Sequence, residues 1–207
     1  MKVNEIFYSI QGEGPQVGMP AWFIRTTGCN LSCSWCDTKY ALKNGKEMSF
    51  QEIKDQINNG CKNIVFTGGE PLLQEDLLAL IKYLDDYNFF VETNGTIYKQ
   101  ELIGFAKFIV SPKLQFMNPK YLQTLQKWAS HATFKFVVDS SLTCQMAVNL
   151  CKQVGKEYDI YFMPLGTEEN QIKRTMLYLI DWCKEHAPNV RISPRLQISL
   201  YKNQRGV

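Results

Sequence analysis

The stretch NIVFTGGEP (residues 63–71) and its successor FFVETNG (residues 89–95) decide how this chain folds. Each opens on β-branched and aromatic residues over the length of a strand and closes in a glycine-containing turn. Between them, residues 74–87 put Leu77, Leu78, Ile81 and Leu84 on one helical face. Strand, helix and strand in that order make a βαβ unit with parallel strands and a right-handed crossover.

The alternation extends both ways. Strands at 107–111, 133–138 and 159–163 alternate with helices near 118–129, 143–156 and 168–185. In the last of these helices Ile172, Met176, Leu179, Ile180 and Cys183 recur at spacings of three and four. Val190–Ser193 reads as a final strand. Towards the N-terminus, Ser49 and Glu52 form a capping box that opens a helix ending near Asn59-Gly60. AWFIRT (residues 21–26) reads as the first strand. The pattern predicts an α/β fold, either a doubly wound sheet or an incomplete (βα) barrel of about six parallel strands. Ligands gather at the C-terminal strand ends of both. The unusual residues sit there: GGEP after one strand, Asn94-Gly95 after the next, then Ser111-Pro112-Lys113 and Met163-Pro164-Leu165-Gly166.

Composition narrows the class. A chain of 207 residues can build one substantial core, and no linker or repeat interrupts it, so residues 1–207 read as one domain. The net charge of +3, with no Lys/Arg tract, speaks against a nucleic-acid partner. The basic excess lies in the tail, at Arg191, Arg195, Lys202 and Arg205, where an anion subsite competes with a solvated end. No apolar run is long enough to cross a bilayer and the first residues lack an apolar signal core, so a cytoplasmic location is expected.

Seven cysteines in such a chain argue against a disulfide framework. Cys61, Cys144, Cys151 and Cys183 are scattered. Cys29, Cys33 and Cys36 lie on one loop at the end of the first strand, close enough to share a metal centre. Structural zinc normally takes four ligands, and His131 and His186 are far away in sequence. Cys61 remains open as a fourth ligand. An iron–sulfur cluster with one uncommitted iron needs none.

CNLSCSWC (residues 29–36), with Trp35 before the last cysteine, resembles the signature of the radical S-adenosylmethionine superfamily. The resemblance implies a [4Fe–4S] cluster on Cys29, Cys33 and Cys36. Its open iron would chelate the methionine end of S-adenosylmethionine, whose cleavage gives a deoxyadenosyl radical. No side chain then needs to be the catalyst. The resemblance also places Trp35, Cys36, Asp37, Gly68, Gly69, Glu70, Glu92, Ser111, Pro112, Lys113, Met163, Pro164, Leu165 and Gly166 around the cofactor. Glycines let backbone approach a ligand closely, and a carboxylate such as Glu70 can accept from an ammonium.

FYSIQGEG (residues 7–14), WFIR (22–25), GCN (28–30), WCDT (35–38) and the tail ending at Val207 resemble the 7-carboxy-7-deazaguanine synthase family over nearly the full length. That resemblance implies ring contraction of 6-carboxy-5,6,7,8-tetrahydropterin to 7-carboxy-7-deazaguanine with loss of ammonia, in queuosine biosynthesis. It implies substrate contacts at Ile10, Gln11, Gly12, Glu13, Arg25, Thr67 and the Val207 carboxylate. It further implies Mg²⁺ at Thr38, a homodimer, and a reductant such as flavodoxin or ferredoxin. Arg25 has independent chemical support, because a guanidinium forks onto a carboxylate. Where family members often carry Gln-x-His before the tail, this chain has Arg195-Leu-Gln197, so a histidine contact is replaced by an amide or lost. Two rivals stand beside this reading: a glycyl-radical activating enzyme, which shares the cysteine loop, and a zinc-stabilised binding protein.

Overall fold

The computed structural model describes residues 1–202 and 204–207. Its frame is one nine-stranded sheet: β1 Lys2–Ile10, β2 Pro20–Thr26, β3 Lys46–Glu47, β4 Asn63–Gly68, β5 Asn88–Thr93, β6 Lys107–Val110, β7 Ala132–Val138, β8 Ile160–Pro164 and β9 Arg191–Ile192. The order across the sheet is β3-β1-β2-β4-β5-β6-β7-β8-β9, with β3 and β9 as free edges, so it does not close into a barrel. From β2 through β4 to β9 every neighbouring pair is parallel. That is one parallel strand more than the six expected, and β1 and β3 add an antiparallel ribbon.

The helices are α1 Phe50–Gln56, α2 Leu77–Tyr83, α3 Pro119–Trp128, α4 Ser141–Val154, α5 Glu169–His186 and α6 Leu196–Tyr201. The starts of α1, α3 and α4 are chemically marked. Ser49 and Glu52 complete the expected capping box, Asn118 accepts from the Tyr121 amide with Pro119 behind it, and Ser140 pairs reciprocally with Thr143. Helix α2 begins at Leu77 and not at residue 74, because Gln74 is held extended. Its side chain accepts from the Lys2 amide at 3.1 Å and donates to the Thr27 carbonyl at 3.2 Å. No helix among the described residues is long and apolar enough to cross a membrane.

Two departures from expectation matter for the site. Strand β1 precedes the one read as first, and the tail carries helix α6. In β1 Asn4, Glu5 and Ser9 interrupt the apolar residues, Glu5 being paired with Arg25 of the cavity wall, and the alternation is masked.

Strand periodicity sorts the sheet into two faces. Ile24, Ile64, Phe66, Phe89, Val91, Phe108, Val110, Phe134, Phe136 and Phe162 point outward and pack with the buried residues of α1 to α5 in the main core. The inner face carries only a small apolar patch, Ala21, Phe23, Val65, Phe90 and Ile109, against which Phe7 and Met19 pack. One step further along the inner face, nearer the C-terminal strand ends, the residues are Arg25, Thr67 and Glu92. Arg25 and Thr67 are direct cross-strand partners. Burying the outer face thus aims these polar side chains inward.

Candidate active site

The cysteine loop leaves β2 through Thr26-Thr27-Gly28 and packs against the turn that ends β4. Gly28 is left-handed, with φ of 94°, and its carbonyl accepts from the Glu70 amide at 2.8 Å. Any Cβ on Gly69 would collide with that carbonyl, which explains why this turn needs glycine. The neighbouring turn is tied to the same loop. Asn94 donates to the Asn30 side chain at 3.0 Å, and Asn30 donates to Thr96 at 2.8 Å.

Cys29, Cys33 and Cys36 are free, half-buried thiols in the wall of one cavity of about 200 Å³. Burial pushes the Cys29 and Cys33 thiols up. Among the described residues, no three of His, Cys, Asp or Glu gather tightly enough for a single ion. In a cluster each thiolate takes its own iron, so three thiols around a shared cavity suit a [4Fe–4S] group with one iron left over. Cys61 sits at the opposite end of the sheet, its thiol donating to the carbonyl of Pro20, the first residue of β2. Strand β2 alone separates the two ends by about 20 Å, so the fourth-ligand alternative at Cys61 falls away.

The same cavity has Trp35, Asp37, Gly68, Gly69, Glu92, Ser111, Lys113 and Met163 in its wall. Lys113 donates to Ser111 at 2.8 Å and lies 5.2 Å from the Trp35 ring centre. Tyr121 accepts from the Lys113 amide at 3.0 Å and donates to the Asn94 carbonyl, fixing two of the loops to each other.

Five residues expected here do not line it. Glu70 is wholly buried: Oε1 accepts from Thr93 at 2.7 Å and from the Leu72 amide at 3.0 Å, and Oε2 accepts from the Asn94 amide at 2.7 Å. Its carboxylate is turned to the β5 turn and has no exposed surface, so it does not reach the cavity. Pro112, Pro164, Leu165 and Gly166 lie behind the wall, where the Leu165 amide donates to the Val138 carbonyl at 2.9 Å and the Gly166 carbonyl accepts from Arg195.

A second cavity of about 520 Å³ adjoins the first. All seven residues expected at the substrate, Ile10, Gln11, Gly12, Glu13, Arg25, Thr67 and Val207, are in its wall. The two cavities share Glu13, Asp37, Thr38, Thr67, Glu92 and Lys135. Glu5 opposes Arg25 across the β1–β2 pair and takes its Nε at 2.7 Å. This ion pair is mostly buried, with Arg25 in the cavity wall and Glu5 behind it. Thr38 donates to Asp37 Oδ1 at 2.6 Å, which leaves its own lone pairs unused. The tail forms the far wall. The Leu196 amide donates to the Gly12 carbonyl at 3.0 Å, the Gly14 amide donates to Ser193 Oγ at 2.7 Å, and Gln197 donates to Glu13 at 2.6 Å. The amide at 197 therefore faces the cavity.

Lys135, Tyr40 and Asn30 have structural parts in the site that sequence reading did not assign, and Arg195, read there as part of a basic tail, is buried between Glu13 and Asp37. Lys135 could have been found, since a lysine inside the buried run FKFVV requires a partner. It donates to Glu13 and to Glu92, both at 2.9 Å. Burial alone would raise the Glu13 carboxyl, but Lys135 and then Arg195 outweigh it and hold it at about 2. For Glu92 burial wins, and its pKa is raised despite Lys135.

A thiol-lined cavity at the C-terminal edge of an open, mostly parallel sheet agrees with the Radical SAM superfamily model, which matches residues 23–179. The chain belongs to the radical S-adenosylmethionine superfamily. It is 31% identical to the 7-carboxy-7-deazaguanine synthase of Thermoplasma acidophilum over all of both chains. It is 38% identical to that of Aquifex aeolicus, over 94% of this chain and 90% of the other. Within the superfamily, then, it is a member of the 7-carboxy-7-deazaguanine synthase family. The crystal structure of QueE from Escherichia coli shares the fold, with a TM-score of 0.76 and 24% identity over 94% of this chain and 93% of that one. The glycyl-radical alternative is not favoured by these relationships.

Proposed function

We propose that this protein contracts the ring of 6-carboxy-5,6,7,8-tetrahydropterin to 7-carboxy-7-deazaguanine, releasing ammonia. The observation that carries the reading is the shared wall: the cavity with the three thiols opens on the cavity with Arg25, Gln11 and Glu13 through Thr67, Glu92 and Lys135. A substrate in one is within reach of a cofactor in the other.

Cys29, Cys33 and Cys36 would hold the [4Fe–4S] cluster, and Gly68-Gly69, Ser111, Lys113 and Met163 would surround S-adenosylmethionine. Bound there, this pair supplies the one-electron chemistry that removes a hydrogen atom from the substrate. The remaining work belongs to the chain. Arg25 takes the substrate carboxylate as a fork. Glu13, Glu92 and Gln11 accept from and donate to the nitrogen-rich pterin edge. Thr38 would offer a hydroxyl oxygen to Mg²⁺, a hard cation that prefers oxygen ligands. The α6 segment and Val207 close the outer side and exclude water. The chain works as one domain, as a homodimer in the cytoplasm, with a flavodoxin or ferredoxin as electron donor.

Anaerobic reconstitution followed by incubation with S-adenosylmethionine, reductant and carboxytetrahydropterin tests this directly. Deazaguanine product with S-adenosylmethionine regenerated is expected. An intact cluster that cleaves S-adenosylmethionine yet yields no deazaguanine would sink the assignment.

A further inference from the structure

Lys135 is the middle residue of β7, and its strand neighbours Phe134 and Phe136 are fully buried on the outer face. Its own side chain points inward and is 5% exposed. A cation so placed is tolerable only with partners, and it has two carboxylates at equal distance, Glu13 Oε2 and Glu92 Oε2, both 2.9 Å away. The other oxygen of each carboxylate orients an amide. Gln11 Nε2 donates to Glu92 Oε1 at 3.2 Å, and Gln197 Nε2 donates to Glu13 Oε1 at 2.6 Å. One ammonium therefore stands at the hub of a chain that runs from β1 through β5 and β7 to the tail.

We propose that Lys135 is a positioning residue for substrate binding, which sets Glu13 and Glu92 side by side as acceptors and through them turns the Gln11 and Gln197 amides. The inference rests on the pterin reading above. A pterin presents an amino group and ring N–H donors along one edge, and these require acceptors. Two carboxylates brought together without a cation between them share a proton, which turns one acceptor into a donor. Other charges face the pair as well: Arg195 donates to Glu13 at 3.1 Å, Lys113 lies near Glu92, and Asp37 occupies the far side of Arg195. None of these bridges both carboxylates, so none replaces Lys135.

The test uses reconstituted protein and 6-carboxypterin, a fluorescent and unreactive probe, titrated at mildly acid and mildly alkaline pH. Wild type is expected to lose less affinity than Lys135→Met between alkaline and acid pH. Lys135→Met is expected to bind about 10-fold more weakly at alkaline pH and weaker still at acid pH, where the carboxyl pair takes up a proton. Lys135→Arg restores most of the affinity. With carboxytetrahydropterin, KM should rise more than kcat falls, while iron content stays that of wild type. A Lys135→Met protein that binds the probe as wild type does at both pH values overturns the inference alone. Wild type that fails to bind the probe overturns the pterin reading and this inference with it. If Lys135→Met does not fold, the double change Lys135→Met with Glu92→Gln, which removes one charge of each sign, is compared with Glu92→Gln alone, in which Lys135 still holds Glu13. Equal affinity in the two counts against the proposal, and weaker binding by the double variant supports it.

Discussion

Glu5 grips Arg25 by Nε alone, at 2.7 Å, so among the described residues the two terminal guanidinium nitrogens of Arg25 have no protein partner. They belong to the cavity wall, with the Phe7 and Tyr40 rings 5.5 and 5.7 Å from the guanidinium carbon. Glu5 also accepts from Tyr40 at 3.0 Å and from Arg205 of the tail at 3.4 Å. A carboxylate bound as a fork takes both free nitrogens, and Arg205 beside Glu5 offsets the second negative charge. Arg25→Lys keeps the charge and loses the fork, and should raise KM for the pterin about 10-fold. Arg25→Gln should raise it about 100-fold, with iron content unchanged. Steady-state kinetics on reconstituted protein reads both, and an unchanged KM for Arg25→Gln would remove Arg25 from the substrate site.

Gly12 has no room for a side chain. A Cβ there would overlap Gln197 Oε1 and stand 2.8 Å from the Gln197 backbone nitrogen. Backbone cannot step aside as a flexible side chain can, so Gly12→Ala should push α6 off the 11–14 segment and open the larger cavity. The predicted signature is a rise in pterin KM of about 10-fold or more with S-adenosylmethionine affinity nearly unchanged. Equal loss of affinity for both ligands would mean that the damage had spread beyond the tail.

The parts of this molecule that could be read in advance are those where local chemistry and burial agree. The NIVFT and FFVET strands and the Ser49 capping box need only their own neighbours. Gly68-Gly69 is legible because a motif made of backbone contacts cannot change residue type without losing them. Glu70 is the converse case. Its place in the motif pointed to a ligand, whereas its wholly buried carboxylate is turned to Thr93, Asn94 and Leu72 inside the fold. Strand β1 was hidden because Asn4, Glu5 and Ser9 interrupt its apolar residues. The Arg195–Asp37 and Gln197–Glu13 contacts join residues at opposite ends of the chain, and no local pattern encodes such distant pairs.

The depressed Glu13 carboxyl links the site to acid stability. With a folded pKa of about 2 against an ordinary 4.5, Glu13 stabilises the fold fully above pH 4.5, and that contribution fades as pH falls towards 2. Its size is on the order of 3 kcal/mol. Glu13→Gln should therefore lower the urea midpoint clearly at neutral pH. The gap between variant and wild type should narrow as the buffer is taken below pH 4.5. A gap that stays constant with pH would show that packing of the side chain, and not its charge against Lys135 and Arg195, provides the stability.

Cysteine replacement separates a three-thiol cluster from a four-ligand metal site. Cys61 lies at the start of the β4 segment, hydrogen-bonded to Pro20 at 3.4 Å, while Cys33 lines the cavity at the other end of the sheet. Cys61→Ala should keep about four irons per chain and the brown chromophore after anaerobic reconstitution, because three thiolates and an open iron are all the cluster needs. Cys33→Ala should lose most of both, leaving fewer thiolates than the cluster requires. Iron analysis and the visible spectrum decide the matter without any turnover. Loss of iron in Cys61→Ala would restore the fourth ligand and close the iron on which S-adenosylmethionine must bind.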